Sequence, residues 1–318
     1  MTAASSTEPV SERFFGYFNL VDVELLHHFT LYTAAGMSEE AGSKLWNEDF
    51  VKLGFDHPYI LHGMLATAAL HIFALDHSRI ELMDVASAHY TVSLRLAEPV
   101  MADVTQSDSI PLSVYSTTAS IYTIGHVALS RFHPKYRSDD ILGSMLSCMR
   151  LARESTTMIE PHLEFLRTSW AKDAISQEDQ LAESSIPLDK HRPQMRLLQD
   201  IVIRVVGSEE QQQACIKNID YCFKCLTDLE QKAGGLRSRE LARRALLVTD
   251  PYFLEMLEQR MPVALCILAH LAAIAHLSSD AWWLAGLPQS LFIHIEASLN
   301  ETWTEVLAFP RSIIQHGI

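Results

Sequence analysis

The stretch HPYILHGMLATAALHIF, residues 57–73, decides the fold of this chain. It contains no Asp, Glu, Lys or Arg, and it is rich in Ala and Leu, which favour a helix. Pro58 follows Asp56 and His57, and proline suits the first position of a helix because the nitrogen there needs no hydrogen. The stretch therefore predicts a long apolar helix that starts at Pro58.

A second stretch of the same kind, RMPVALCILAHLAAIAHLSSDAWWL, covers residues 260–284. Its first part carries a series of small residues, which are Ala264, Ala269, Ala272, Ala273 and Ala275. Such a series lets either another helix or a ligand come close, and close helix packing is the more common use. The Trp282-Trp283 pair suits the wall of a ligand cavity or the joint between two helices.

The rest of the sequence favours helices as well. Hydrophobic residues make up 48% of the chain, and neither Asn-Gly nor Asp-Gly, the usual hairpin turns, occurs. We predict an all-α fold, a multi-helix bundle, with Asp22 capping the first helix, Asp280 capping a last pair of helices through Ala308, and Pro310 ending the packed part. Between these ends, helices are expected at 39–53, 83–104, 111–131, 139–154, from 161, 193–206, 208–232, 238–248, 252–258 and 262–279. We expect a disordered tail at residues 1–13 and a single helical domain at 14–318, with a mobile loop at 172–192 inside that domain.

Charge and cysteine content limit the function classes. The formal charge is −14, which disfavours direct contact with nucleic acid. The basic run RSRELARR, residues 237–244, is short and helical, so we interpret it as a solvated face. Five cysteines without a signal peptide indicate a reducing, intracellular location. The uncharged segment 109–130 holds eight Ser and Thr residues, which favours a buried helix, and 262–277 is too short to span a membrane.

No motif for a metal, a cofactor or catalysis stands out. Cys222-x2-Cys225, with Cys215 before it, lacks the second pair that a zinc site needs, so buried helix cysteines are the better interpretation. His62 and His71 are nine residues apart and face opposite sides of a helix, at about 100° per residue. We expect the histidines to form hydrogen bonds at helix junctions, and we predict neither a metal nor a cofactor.

Several short motifs, in order along the chain, carry a family resemblance. They are ELLHHFT at 24–30, Leu45-Trp46, the histidine-bounded stretch 57–71, Pro262, Ala264-Leu265, Ala269-His270, Trp282-Trp283-Leu284 and Phe309-Pro310. Together they resemble the C-terminal effector-binding domain of fungal zinc-cluster transcription factors of the sterol uptake control type. The six-cysteine DNA-binding module of that family is expected to be missing, because only a polar tail precedes Phe14.

The resemblance implies an apolar cavity in the C-terminal half that takes a lipophilic molecule, a sterol, terpenoid or polyketide. The residues predicted to bind it are Met261, Leu265, Ala269, His270, Ala273, Trp282 and Trp283. The implied function is a regulator that senses this ligand and acts through a partner, as a homodimer or as a heterodimer with a zinc-cluster regulator. Location in the cytoplasm or the nucleus, with neither direct nucleic-acid contact nor a membrane span, follows from this interpretation.

An enzyme is the alternative interpretation. A dry, preformed cavity could fold a terpenoid or polyketide into one reactive conformer for cyclisation, pericyclic closure as in a Diels-Alderase, or isomerisation. The catalytic candidates are Tyr115, Tyr122 and His126, which lie close together in helical projection among uncharged neighbours. Their more common role is that of buried polar residues with satisfied hydrogen bonds. A scaffold that pairs with full-length regulators is a third possibility.

Overall fold

Helices form all the regular structure in the part of the chain that the computed structural model describes, residues 19–36, 44–172, 186–231, 236–277 and 281–317. The prediction of an all-α, multi-helix fold is confirmed. We label the α-helices in chain order: α1 Leu20–His28, α2 Phe50–Asp56, α3 Pro58–Leu75, α4 Glu81–Met101, α5 Ser109–Ser130, α6 Ile141–Ile159, α7 Leu163–Thr168, α8 Arg192–Val205, α9 Glu209–Gln231, α10 Leu236–Leu246, α11 Pro251–Glu258, α12 Pro262–His276, α13 Leu287–Ser298 and α14 Thr304–His316.

The two apolar stretches form the central helices α3 and α12. Pro58 and Pro262 occupy the first turn of each, as proline's fixed backbone favours. Every residue from Val263 to Ala275 is buried, and so are fourteen of the eighteen residues of α3. A helix that is apolar on all sides must be covered on all sides, which explains why these two lie inside the molecule.

Two helical segments have the length and the apolar composition needed to cross a membrane. The first is α3, whose 18 residues are 72% buried inside the protein. The second is α11 and α12 taken together, and these two helices are bent by 109° at the break between them. The core helix of a water-soluble protein has the same composition as α3.

The helices build two hydrophobic clusters that share α5. The N-terminal cluster holds buried residues of α1 to α5 and α7, such as Leu25, Phe50 and Met64. The C-terminal cluster holds residues of α5, α6 and α8 to α14. Trp282 is packed against both clusters, as is Ala285. The short turn 281–286 therefore joins the two halves of the core.

Close packing of α3 against α5 depends on Gly63. A Cβ atom at this position would lie 3.0 Å from the Thr118 hydroxyl oxygen and 3.4 Å from that of Ser93. The distance to Thr118 is tighter than a normal carbon–oxygen contact, so a side chain here would press α3 against α5 unless Thr118 moved by a few tenths of an ångström.

Three predictions about helix ends are wrong. Asn19, and not Asp22, caps α1: the Asn19 side chain accepts hydrogen bonds from the Val21 and Asp22 backbone, while the Asp22 carboxylate accepts from the Asn19 N–H. This reciprocal arrangement is a capping box, with Asp22 at its third position. Residues 281–286 form turns before α13, where a helix was expected.

The third concerns Pro310, which lies inside α14 and does not end the packing. Proline has no N–H, so the Val306 carbonyl four residues earlier loses its helical partner. The side-chain amide of Gln194 donates to that carbonyl at 3.2 Å and replaces the missing bond. The helix therefore continues to His316.

Other predicted features fall on parts of the chain outside the described residues. These are the tail 1–13, Asp280 and most of the predicted loop 172–192. Of that loop, residues 189–191 form a 3-10 turn and α8 begins at Arg192. The helix expected at 39–53 is described from residue 44, as a π-helical turn at Leu45–Asp49 followed by α2.

Candidate functional site

A cavity of about 720 Å³ lies where the two hydrophobic clusters meet. Helices α5, α6, α7, α9 and α10 line it together with the segment that links α10 to α11. Its volume falls in the range of about 300–1,000 Å³ that is usual for small-molecule sites. Its lining differs in chemistry from one helix to the next.

The α5 wall is a row of hydroxyl groups. Ser113, Ser116, Thr117 and Ser120 line the cavity at the spacing i, i+3, i+4, i+7, which places them on one face of the helix. The hydroxyls of Ser113 and Thr117 donate to backbone carbonyls one turn earlier, Ser109 and Ser113. Within the described residues no hydrogen bond engages the Ser116 or Ser120 side chain, so these two hydroxyls are available to a ligand.

The α9 wall is polar and charged. Lys217, Asp220, Tyr221 and Lys224 face the cavity, again at helical spacing. Lys217 is exposed, whereas the other three are half-buried. Burial raises the pKa of the Asp220 carboxyl, and Lys224 opposes that shift. The Asp220 carboxylate accepts a hydrogen bond of 3.1 Å from the Gln199 amide, which holds it towards α8.

The α10 wall adds two arginines, Arg243 and Arg244. Arg243 forms an ion pair of 2.6 Å with Glu240 on its own helix, and the Arg244 guanidinium lies 5.8 Å from the centre of the Tyr221 ring. Both arginines are half-buried. The interpretation of residues 237–244 as a solvated face is therefore wrong for these two, because α10 packs this face over the cavity.

The cavity also has an apolar part. Its aliphatic side chains come from α6, α7, α9 and the segment after α10, and they are Ala152, Ile159, Leu163, Leu166, Ile216, Leu247 and Val248. Arg167 on α7 is exposed, beside this group. The cavity therefore combines an apolar surface with hydroxyl groups and cationic side chains, which suits an amphipathic molecule.

None of the seven residues predicted to bind a ligand lines this cavity. Five of them, Leu265, Ala269, His270, Ala273 and Trp283, are at most 3% exposed and lie within the C-terminal core. Met261 and Trp282 are packed against the same cluster. The structure thus gathers the seven around α12, in closely packed surroundings, and their role in ligand binding stays a prediction.

His270 takes part in a hydrogen-bonded link between three helices. Its Nδ1 lies 2.7 Å from the Cys266 carbonyl and its Nε2 lies 3.0 Å from the Gln194 amide nitrogen. A carbonyl only accepts, so Nδ1 carries the hydrogen and Nε2 accepts from Gln194. Burial lowers the pKa of His270 to about 4, consistent with this neutral form. The Phe309 ring stacks on His270 at 5.9 Å.

Trp282 and Trp283 have different neighbours. The Trp282 ring stacks on His71 with 4.8 Å between ring centres, while Trp283 is 3% exposed in the C-terminal cluster. His71 Nδ1 lies 2.9 Å from the Thr33 hydroxyl and 3.2 Å from Nε2 of His28. These contacts connect α1, α3 and the turn 281–286 and give both tryptophans a packing role.

His62, on the other side of α3, lies 2.9 Å from His89, and His89 lies 3.1 Å from the Asp22 carboxylate. Burial lowers the pKa of His62 to about 4, and His89 lowers it further in the same direction. The prediction that histidines form hydrogen bonds at helix junctions is confirmed for His62, His71 and His270. Among the described residues, no group of three or more His, Cys, Asp or Glu side chains is placed to hold a metal ion.

The three catalytic candidates lie on α5 but away from the cavity. Tyr122 stacks on Tyr90 at 4.0 Å and lies 5.7 Å from His126, whereas Tyr115 meets Tyr59 edge to face at 5.6 Å. Burial raises the pKa of Tyr115 and of Tyr122 to about 12 and lowers that of His126. None of the three lines the cavity, so nothing in the described residues places a substrate against them.

The cysteines are buried and free, as predicted. Desolvation raises the pKa of Cys148 to about 11 and the pKa of Cys215, Cys225 and Cys266 to about 12. Thiols that stay protonated are poor nucleophiles and poor metal ligands. Their role is to fill the core.

Comparison with known proteins gives partial matches. No family model matches the chain. It is 26% identical over 96 residues to Sterol uptake control protein 2 of Saccharomyces cerevisiae, and 32% identical over 71 residues to the protein of the same name in Candida albicans. These matches cover 30% and 21% of this chain and 10% of each relative.

A third match is to the Zn(2)-C6 fungal-type transcription factor afumD of Aspergillus fumigatus, with 23% identity over 159 residues. It covers 46% of this chain and 38% of that protein. The chain therefore spans a minor part of the length of the relatives it matches. These similarities support a relationship to fungal transcription regulators, in agreement with the sequence motifs.

Sequence reasoning missed the cavity, although two signals of it are visible in the sequence. The hydroxyl row on α5 appears as eight Ser and Thr residues in an uncharged segment. The arginines of α10 appear as a basic run in an acidic chain. Only the packed structure shows that these two faces meet.

Proposed function

We propose that this protein is a regulatory component of fungal transcription whose state is set by a small lipophilic molecule. The observation that carries the proposal is its similarity to three fungal regulators, one of them named as a transcription factor and two named for control of sterol uptake. The cavity supplies a place for the molecule, since its size and partly apolar walls suit a drug-sized ligand.

Ligand control follows from where the cavity lies. A molecule in it contacts α5 and α7, which contribute to the N-terminal cluster, and α9 and α10, which belong to the C-terminal cluster. A ligand shifts a conformational equilibrium only by binding one arrangement more tightly than another. Contacts to both clusters at once make binding sensitive to their relative position, so occupancy favours one arrangement of the two halves.

Action on a promoter requires a partner under this proposal. A formal charge of −14 opposes direct contact with DNA, so the DNA-binding function belongs to a zinc-cluster protein with which the chain pairs. Such a role places the protein in the nucleus or the cytoplasm. For the predicted residues around α12, the proposed ligand is a sterol, a terpenoid or a polyketide.

The regulatory function is better supported than the enzyme alternative. The comparisons favour regulation, whereas none of Tyr115, Tyr122 and His126 lines the cavity. Cyclase, pericyclase or isomerase activity stays a prediction from the sequence.

A reporter experiment tests the proposal. The whole chain is fused to a heterologous DNA-binding domain in a fungal host, and transcription from a promoter with the matching sites is compared with that of the DNA-binding domain alone. The fusion is expected to change transcription, and Ser116→Phe, which fills the cavity from the α5 wall, is expected to alter that response. Reporter output identical with and without the chain, for both fusions, contradicts a regulatory role.

A further inference from the structure

The cationic side chains of the cavity stand out against the charge of the whole molecule. Five cationic residues line it, Arg167, Lys217, Lys224, Arg243 and Arg244, and two acidic residues, Asp220 and Asp250. The chain as a whole has 25 Lys and Arg against 39 Asp and Glu. The cavity therefore has the opposite charge balance to the protein around it.

Both acidic residues of the lining are engaged by the protein itself. The Asp250 carboxylate caps α11, where it accepts hydrogen bonds from the N–H groups of Tyr252 and Phe253. The Asp220 carboxylate accepts from Gln199. Each carboxylate thus has an internal hydrogen-bond donor, and together with Glu240, which pairs with Arg243, they offset only part of the charge of the five cationic residues.

Of the two lysines of α9, Lys224 is attracted by the Asp220 carboxylate four residues earlier but forms no close ion pair with it. Within the described residues, no ion pair or hydrogen bond engages the side chain of Lys217 or Lys224. They lie seven residues apart, two helical turns, on the face that lines the cavity, with Lys217 exposed and Lys224 half-buried. The single Asp220 carboxylate cannot offset both ammonium groups, so an anion that reaches them is attracted by the remaining positive charge.

We propose that the cavity binds an amphipathic anion, a molecule with an apolar body and one carboxylate or phosphate that lies against Lys217 and Lys224. The hydroxyls of Ser116 and Ser120 donate to the same polar end, and the aliphatic side chains of α6 and α7 contact the apolar body. This inference rests on the proposed function, because it specifies the chemical class of the regulating ligand.

A neutral ligand explains the site less well. A molecule with a single hydroxyl would fill the apolar part but leave the excess positive charge of the lining without a counter-ion. A purely polar anion would leave Ile159, Leu163 and Leu166 exposed to water in the cavity. The combination of both kinds of wall favours a ligand that carries both kinds of surface.

The test compares three probes that share a twelve-carbon chain: laurate, lauryl phosphate and lauryl alcohol. Their binding to the full chain is measured by isothermal titration calorimetry below their micellar concentrations. Charge-assisted contacts to two ammonium groups are expected to make at least one anion bind about tenfold or more tightly than the alcohol. Preference for laurate or for lauryl phosphate identifies a carboxylate or a phosphate as the natural head group.

Substitutions locate the site. Lys217→Gln with Lys224→Gln is expected to reduce anion affinity to that of the alcohol, whereas the Lys217→Arg and Lys224→Arg pair retains the preference. Lys52→Gln, on an exposed lysine of α2 that pairs with Asp49, is the matched control and leaves binding unchanged. Ser116→Phe is expected to weaken binding of all three probes, and circular dichroism checks that each variant is folded.

Two outcomes overturn the inference. One is equal or tighter binding of lauryl alcohol than of both anions, and the other is unchanged anion binding in the double Gln variant. Either result leaves the reporter response, and with it the proposed regulatory function, intact. Conversely, a chain that binds the anions but gives no reporter response would contradict the regulatory function and still support the anion-binding site.

Discussion

Replacing Gln194 by Leu is expected to destabilise the fold, because one amide group satisfies two buried acceptors. Its nitrogen lies 3.0 Å from Nε2 of His270 and 3.2 Å from the Val306 carbonyl, which Pro310 leaves without a helical donor. Leu removes both hydrogen bonds and supplies no donor in their place. The two acceptors are on α12 and α14, so the change affects the packing of α8 against both.

The magnitude follows from the cost of leaving a buried acceptor unpaired, about 1–3 kcal/mol for each group. Two groups give roughly 2–6 kcal/mol. Gln194 is half-buried, so water reaches part of the site and the lower half of that range applies. We expect the free energy of unfolding to fall by about 2–3 kcal/mol.

Urea denaturation followed by circular dichroism measures this difference. Gln259→Leu is the matched control, because Gln259 is exposed and its amide donates to the Glu255 side chain on α11. It is expected to change stability by less than about 0.5 kcal/mol. His270→Leu removes one of the two acceptors. Combined with Gln194→Leu, it should cost less than the sum of the single changes, by about 1 kcal/mol.

Two results would refute this reasoning. One is a loss for Gln194→Leu no larger than that of the Gln259→Leu control. The other is strict additivity of Gln194→Leu and His270→Leu, which would mean that the amide and the imidazole do not interact.

Three further predictions concern packing, pH and thiol reactivity. Gly63→Ala should lower the free energy of unfolding, measured in urea, by about 1–3 kcal/mol, because the added Cβ would press on Thr118. Gly207→Ala is the control and should not lower it, because the space around its Cβ is open. Equal effects of the two substitutions would contradict the close packing at Gly63. Stability should fall as pH drops from 6.5 towards 4, because three buried histidines have pKa values of about 4 in the fold and bind protons more readily when unfolded. In urea titrations at several pH values, His71→Gln should flatten that dependence by about 1.4 kcal/mol per pH unit, and an unchanged slope would count against its burial. Iodoacetamide at neutral pH should leave the five cysteines of the native protein unmodified and should label all five in urea, which mass spectrometry measures. Rapid labelling of the native protein would contradict the burial of the cysteines.

The central helices were predictable from sequence because their signal is local. A long uncharged run that starts with proline has few alternatives to a buried helix, and both α3 and α12 follow that rule. The behaviour of Pro310 was not predictable in the same way. Its continuation of α14 depends on Gln194, more than one hundred residues earlier in the chain, whose amide replaces the lost hydrogen bond.

The candidate site was only partly predictable, because it depends on which helix faces meet. The apolar character of α12 and the Trp282-Trp283 pair favoured a ligand there, but the structure packs these residues against other helices. The cavity forms between faces whose residues are each unremarkable alone, a hydroxyl row on α5 and lysines on α9. Helical periodicity reports each face separately and does not report their contact.

Occupancy of the cavity is the central claim, and native mass spectrometry tests it most directly. The chain and its Ser116→Phe variant are purified in parallel from a fungal host, under conditions that retain non-covalent ligands. The wild-type chain is expected to carry the added mass of a single small organic molecule, and the folded variant is expected to lack it. The same added mass on both proteins, or a wild-type chain that carries no small molecule from a host in which the reporter responds, would contradict it.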